Sequence, residues 1–231
     1  MEIRKILLEI PIKEKICSNL TFEEAINFRD AVDLPSLKCR FLISDPDKQI
    51  NFVEGINDLT IEVYYMIKHY GSRKALFVAI SEQKLAIVKF LISHGLNIHE
   101  RDELGFSPLI KASFKGYTDI VKFLLENGAN INQVDGLDYT SLLWAASRNN
   151  LETVKFLLEF NSPGNKINVN ATVYGRTVLI IASMSGFTEI VKMLLDHGAK
   201  VNIVDSLRKT ALSEAMFYKN QEIIEMLKST S

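Results

Sequence analysis

The sequence predicts an all-α solenoid of paired antiparallel helices with β-hairpin-like turns, preceded by a short helical segment. Three observations predict it. Leu76, Leu109 and Leu142 are 33 residues apart, Leu179 follows after 37, and Leu212 after a further 33. Three residues beyond each leucine stands an alanine: Ala79, Ala112, Ala145, Ala182 and Ala215. A second apolar cluster then closes each unit, reading LAIVKFLISHG, TDIVKFLLENG, LETVKFLLEFN, TEIVKMLLDHG and QEIIEMLKS. Periods of about 20–50 residues mark architectures in which a unit cannot bury its own faces and neighbours must stack.

Each element of the unit has a physical reason. The Leu-x-x-Ala spacing sets a large and a small residue on one face of a short first helix, and the alanine admits a close neighbour. Ser107, Thr140, Thr177 and Thr210 precede those helices, where a hydroxyl caps free N–H groups. Gly116 and Gly186 link to the second helix, whose stripe in one unit is Ile120, Val121, Leu124 and Leu125. Gly128 follows that stripe, where a left-handed cap is wanted. Gly105 and Gly175 fit tight turns, and Asp102, Asp135 and Asp205 recur at the turn start.

Composition narrows the function. The 231 residues are 47% apolar and 24% charged, with a formal net charge of -1. That balance is ordinary for a globular protein and lacks the basic excess of a dedicated nucleic-acid binder. Two cysteines, Cys17 and Cys39, cannot form a disulfide framework or a four-cysteine metal site. No run approaches the ~20 apolar residues that span a bilayer. The start, MEIRKILLEIPIKEK, is broken by Glu2, Glu9 and Glu14, so no signal peptide is expected. A cytoplasmic protein, with neither a nucleic-acid nor a membrane partner, is the expectation.

The periodic motifs resemble the ankyrin repeat. Residues 102–134, DELGFSPLIKASFKGYTDIVKFLLENGANINQV, and 172–204, TVYGRTVLIIASMSGFTEIVKMLLDHGAKVNIV, carry the likeness most fully. Residues 135–171 share it with four extra residues, three of them in FNSPGNK. This divides the chain into a helical segment at 1–42 and a repeat domain at 43–231, with five repeats and a degenerate one at about 50–71. The family's histidine after the leucine is replaced by Phe77, Ile110, Leu143, Ile180 and Ser213, and its proline survives only at Pro108. The hydroxyl–imidazole bond typical of the family is therefore expected to give way to apolar packing.

The resemblance implies a binding surface on the hairpin tips and first helices, which line a concave groove. On this chain those positions are Leu104, Phe106, Leu137, Tyr139, Tyr174 and Arg176 at the tips, and Phe114, Lys115, Trp144, Arg148, Met184, Phe217 and Tyr218 on the first helices. Aromatics and arginine dominate interface hot spots because they bury much area with few rotors. Packing between neighbouring hairpins is the other use for these aromatics, and Trp144 suits either. The charged residues of the second helices, such as Lys122 and Glu126, read as a solvated convex face. The insert at Asn161–Lys166 is either a specificity loop or a tolerated surface insertion.

Residues 7–41, LLEIPIKEKICSNLTFEEAINFRDAVDLPSLKCRF, resemble an F-box, with Ile10-Pro11, Ile16 to Leu20, Glu24-Ala25-Ile26 and Arg29 in that family's order. The resemblance implies docking through Ile10, Pro11, Ile16, Leu20 and Phe28 on the F-box-binding adaptor of a cullin ubiquitin ligase. A plain helical cap over the end of the stack is the alternative. No catalytic motif occurs: there is no G-x-x-x-x-G-K-[ST], G-x-G-x-x-G or H-E-x-x-H. His94 and His197 share one repeat position, which speaks for repeat structure over a metal site. The expectation is a monomeric, non-enzymatic protein with no cofactor or metal, binding a protein or peptide partner. It is either a ligase substrate receptor, including a secreted effector in a host cytosol, or a scaffold or inhibitor.

Overall fold

The structure is a computed structural model that describes Val63, Met66, Ile67 and residues 69–230. The F-box-like positions Ile10, Pro11, Ile16, Leu20 and Phe28, and nearly all of the degenerate unit at 50–71, lie outside the described residues. The helices are α1 Ser72–Ser81, α2 Leu85–Ser93, α3 Pro108–Lys115, α4 Thr118–Glu126, α5 Ser141–Ser147, α6 Leu151–Glu159, α7 Val178–Ser185, α8 Thr188–Asp196, α9 Ala211–Phe217 and α10 Gln221–Ser229. A two-stranded hairpin, β1 Thr172–Val173 and β2 Arg176–Thr177, precedes α7. The chain divides into two compact units: one ends at Leu76 and takes in Ala86–Asn97, and the other holds Phe77–Leu85 and Ile98 onward.

In the second unit, the first helices α3, α5, α7 and α9 pack side by side, and so do the second helices α4, α6, α8 and α10. The periodic residues lie between these layers. Leu109, Ala112, Leu142, Ala145 and Ala182 are fully buried, as are Ile120, Val121 and Leu124. Burying each leucine or isoleucine side chain contributes about 1.5–3 kcal/mol, so stacking is what holds each short helix in place.

The caps fall where the hydroxyls predicted them. Ser107, Thr140, Thr177 and Thr210 accept from the backbone N–H three residues on, at Ile110, Leu143, Ile180 and Ser213. Where the family has histidine, Ile110, Leu143 and Ile180 are buried at 1% exposure or less, so apolar packing replaces the imidazole bond. In the last repeat Ser213 instead completes a capping box with Thr210.

One position per repeat, seven residues after the leucine, takes the left-handed conformation. Gly116 and Gly186 hold it at φ 76° and 74°, and Gln83, Asn149 and Lys219 at 58°, 57° and 59°. The next position cross-links successive repeats: Asn150 Nδ2 donates to the Ser113 carbonyl at 2.9 Å, and Asn220 Nδ2 to the Ser183 carbonyl at 2.8 Å. His197 and Asn127 share a position at the end of the second helix. Each side chain donates to the carbonyl four residues back, at Met193 and Phe123. That accounts for the recurring histidine as a helix terminator.

Candidate functional site

Three of the four tips, all but the one that begins at Thr172, are built on an aspartate. Oδ1 of Asp135 accepts from the Leu137 and Tyr139 N–H groups at 2.8 and 2.9 Å, and Oδ1 of Asp205 accepts from those of Leu207 and Lys209 at the same distances. Asp102 repeats the arrangement with Leu104 and Phe106. The second carboxylate oxygen takes a different donor in each tip. Asp102 takes Lys111 Nζ at 3.1 Å, Asp135 takes Trp144 Nε1 at 2.6 Å, and Asp205 takes Arg176 Nε of the preceding repeat at 3.1 Å. Donation from the Lys209 backbone N–H holds the Asp205 carboxyl below the usual carboxylate range; burial opposes this, while Arg176 and the Leu207 N–H add to it.

The tips and first helices bring four predicted aromatics into one cluster. Trp144 stacks on Tyr139 at 4.5 Å between centroids, meets Phe114 edge-on at 5.1 Å and lies 5.5 Å from Phe106. The Arg148 guanidinium lies over the Phe114 ring at 4.5 Å, and Lys111 Nζ over Phe106 at 5.5 Å. Such contacts are favourable and fix the cations on the ring faces. The chain's only tryptophan is thus half-buried, with its N–H satisfied and its ring shared between the repeats.

Exposure sorts the predicted residues. Phe106, expected at a tip for partner contact, is buried, and its work is packing against Phe114 and Trp144. Tyr139, Phe114, Met184 and Arg176 are half-buried, while Lys115 and Arg148 are exposed. Leu104, Leu137, Tyr174 and Leu207 occupy one equivalent tip position in four successive repeats and are 68%, 51%, 72% and 66% exposed. They form a row of large apolar side chains, one per repeat. On the last first helix, Phe217 and Tyr218 are exposed and meet edge to face at 5.1 Å.

Two features escaped the sequence reading. Met216 is exposed where the equivalent Ser113, Ala146 and Ser183 are fully buried by the following repeat. Glu214 is almost wholly buried, with Lys209 Nζ 2.9 Å from its Oε1 as an ion pair not aligned as a hydrogen bond. Comparing equivalent positions across repeats carries the signal for both: Met among Ser and Ala, Glu among Lys111, Trp144 and Ile181.

The insert lies on the loop of the preceding repeat. Asn165 accepts from the Ile131 N–H and donates to the Ala129 carbonyl, and Asn132 Nδ2 donates to the Lys166 carbonyl. Among the described residues no group of three His, Cys, Asp or Glu is placed to hold a metal, and no helix is long and apolar enough to cross a membrane.

A family described as ankyrin repeats, in three copies, matches residues 39–135 and 142–230. The chain belongs to the ankyrin repeat family. Curated relatives match over shorter stretches. The serine/threonine-protein kinase VIK of Arabidopsis thaliana is 44% identical over 54 residues, 23% of this chain and 12% of that protein. The human protein phosphatase 1 regulatory subunit 27 is 42% identical over 52 residues, 22% of this chain and 34% of that protein. The chain thus covers about a third or less of these relatives, and the likeness is a likeness of ankyrin repeats. Ankyrin repeats make this an interaction module for a protein partner.

Proposed function

We propose that this ankyrin protein binds an extended protein or peptide segment along its tips and first helices without performing chemistry on it. One observation carries the reading: Leu104, Leu137, Tyr174 and Leu207 are exposed at one tip position in four successive repeats, and the Trp144 cluster takes Phe106 and Tyr139 from the first two of those tips. Exposed apolar side chains repeated at one position, next to a rigid aromatic floor, are the makings of an interface core. The test is selection of binders from a random 12-residue peptide display library on the full chain, repeated with a Leu137→Ser, Tyr174→Ser variant. Peptides whose binding is lost with the variant support the reading; peptides held equally by both oppose it.

The finer reading makes the chain a receptor that brings the bound segment to a cullin-type ubiquitin ligase. The order Ile10-Pro11, Ile16 to Leu20, Glu24 to Ile26 and Arg29 supports it. A cytoplasmic setting, or a host cytosol for a secreted effector, goes with it. Titration of the purified adaptor against wild type and a Pro11→Ala, Leu20→Ala variant of equal helicity tests it. Micromolar binding lost in the variant supports the ligase link. No binding leaves a scaffold or inhibitor.

A further inference from the structure

Charge is segregated between the two layers of helices, although the net charge of the chain is only -1. Each of α4, α6, α8 and α10 carries two carboxylates and one lysine, all exposed. By contrast α3, α5 and α7 carry no carboxylate at all. The aspartates that start the tips, Asp102, Asp135 and Asp205, are turned inward, their oxygens occupied by backbone N–H groups and by Lys111, Trp144 and Arg176. The first helices beside the aromatic floor show Lys115 and Arg148 to solvent, at the same position in adjacent repeats, while Glu103 and Asp138 are exposed farther out on the tips.

From this we infer that the partner segment is acidic: a peptide whose carboxylates face Lys115 and Arg148 and whose large apolar side chain covers the Leu104–Leu137 tips. The inference rests on the proposed groove reading and names its ligand. A cationic ligand is disfavoured, because the faces of Phe106 and Phe114 already carry Lys111 and Arg148. Charges on the rim of an apolar contact steer association and set which partner is accepted.

The experiment is the same 12-residue library selected on the full wild-type chain and on a Lys115→Glu, Arg148→Glu variant shown by circular dichroism to keep its helicity and melting. Wild type is expected to enrich peptides with several Asp or Glu beside an aromatic or aliphatic residue. Their Kd should weaken at least about tenfold in the variant and likewise between 50 and 300 mM salt, on the order expected for screened steering charges. The variant should enrich basic peptides instead. A Lys155→Glu change on the outer face should leave binding unchanged. Neutral or basic peptides on wild type that still depend on Leu137 and Tyr174 overturn the acidic assignment and leave the groove reading standing. Peptides that ignore all four positions overturn both. Equal binding of a labelled oligothymidine, lost with the same charge reversal, overturns the peptide assignment in favour of a polyanion.

Discussion

Trp144 Nε1 donates to Asp135 Oδ2 at 2.6 Å, joining the first helix of one repeat to the tip of the same repeat. The other oxygen of that carboxylate already orders the tip through the Leu137 and Tyr139 N–H groups. One aspartate therefore fixes both the turn and the ring on which the aromatic cluster is assembled. Asp135→Ala should lower stability by about 2–3 kcal/mol, as expected when buried donors lose a charged acceptor. Urea unfolding followed by Trp144 fluorescence checks it, and Asp135→Asn should recover part of the loss.

The left-handed position tests backbone strain. Lys219 sits at φ 59° where Gly116 and Gly186 stand in sister repeats. A left-handed L-residue costs about 1–2 kcal/mol, against roughly 0.5–1 kcal/mol of added chain entropy for glycine. Lys219→Gly should stabilise by about 0.5–1 kcal/mol. Gly116→Ala should do the reverse, because its Cβ would lie 2.8 Å from Asn150 Cγ and press on the side chain that links the repeats. Thermal melts of the two variants should shift in opposite directions.

Much of this was legible in the sequence, and the boundary has physical causes. The Leu–Ala register, the hydroxyl caps and the glycines are local and repeat, so they show in one dimension. The cluster residues Phe114, Tyr139, Trp144 and Arg148 stand out in the sequence because they interrupt the period. The contacts of Trp144 with Phe106 and Phe114 were not legible, since those rings belong to the preceding repeat, about 30 or more residues away. Phe106 illustrates the limit: its tip position suggested exposure, yet it is turned under Trp144. The pairing of Asp205 with Arg176 was equally hidden, because in the other tips the donor comes from within the repeat.

Buried hydroxyls give a third test. The Ser113 and Ser183 Oγ atoms are buried and lack a hydrogen-bond partner, while Ala146 fills the equivalent position between them. Ser183→Ala should therefore stabilise by about 1 kcal/mol, by removing an unsatisfied polar group from an interface that already accepts alanine. A rise in the denaturation midpoint without a change in slope is the expected result.

Acid should loosen the last tip. The Asp205 carboxyl is held below the usual range, so the charged form is favoured in the folded chain. Its contribution is complete above the ordinary carboxylate value of about 4 and is lost as pH falls through the lower folded value. Asp205→Asn should lower the melting temperature at pH 7, and the gap to wild type should close on acidification through that window.

Occupation of the tips and first helices by the proposed partner would slow amide exchange there. Amide hydrogen exchange of the full chain, with and without a peptide selected from the 12-residue library, tests it most directly. Added protection is expected at Glu103–Gly116 and Gly136–Arg148, with α4, α6 and α8 unchanged. Protection confined to those second helices would contradict it.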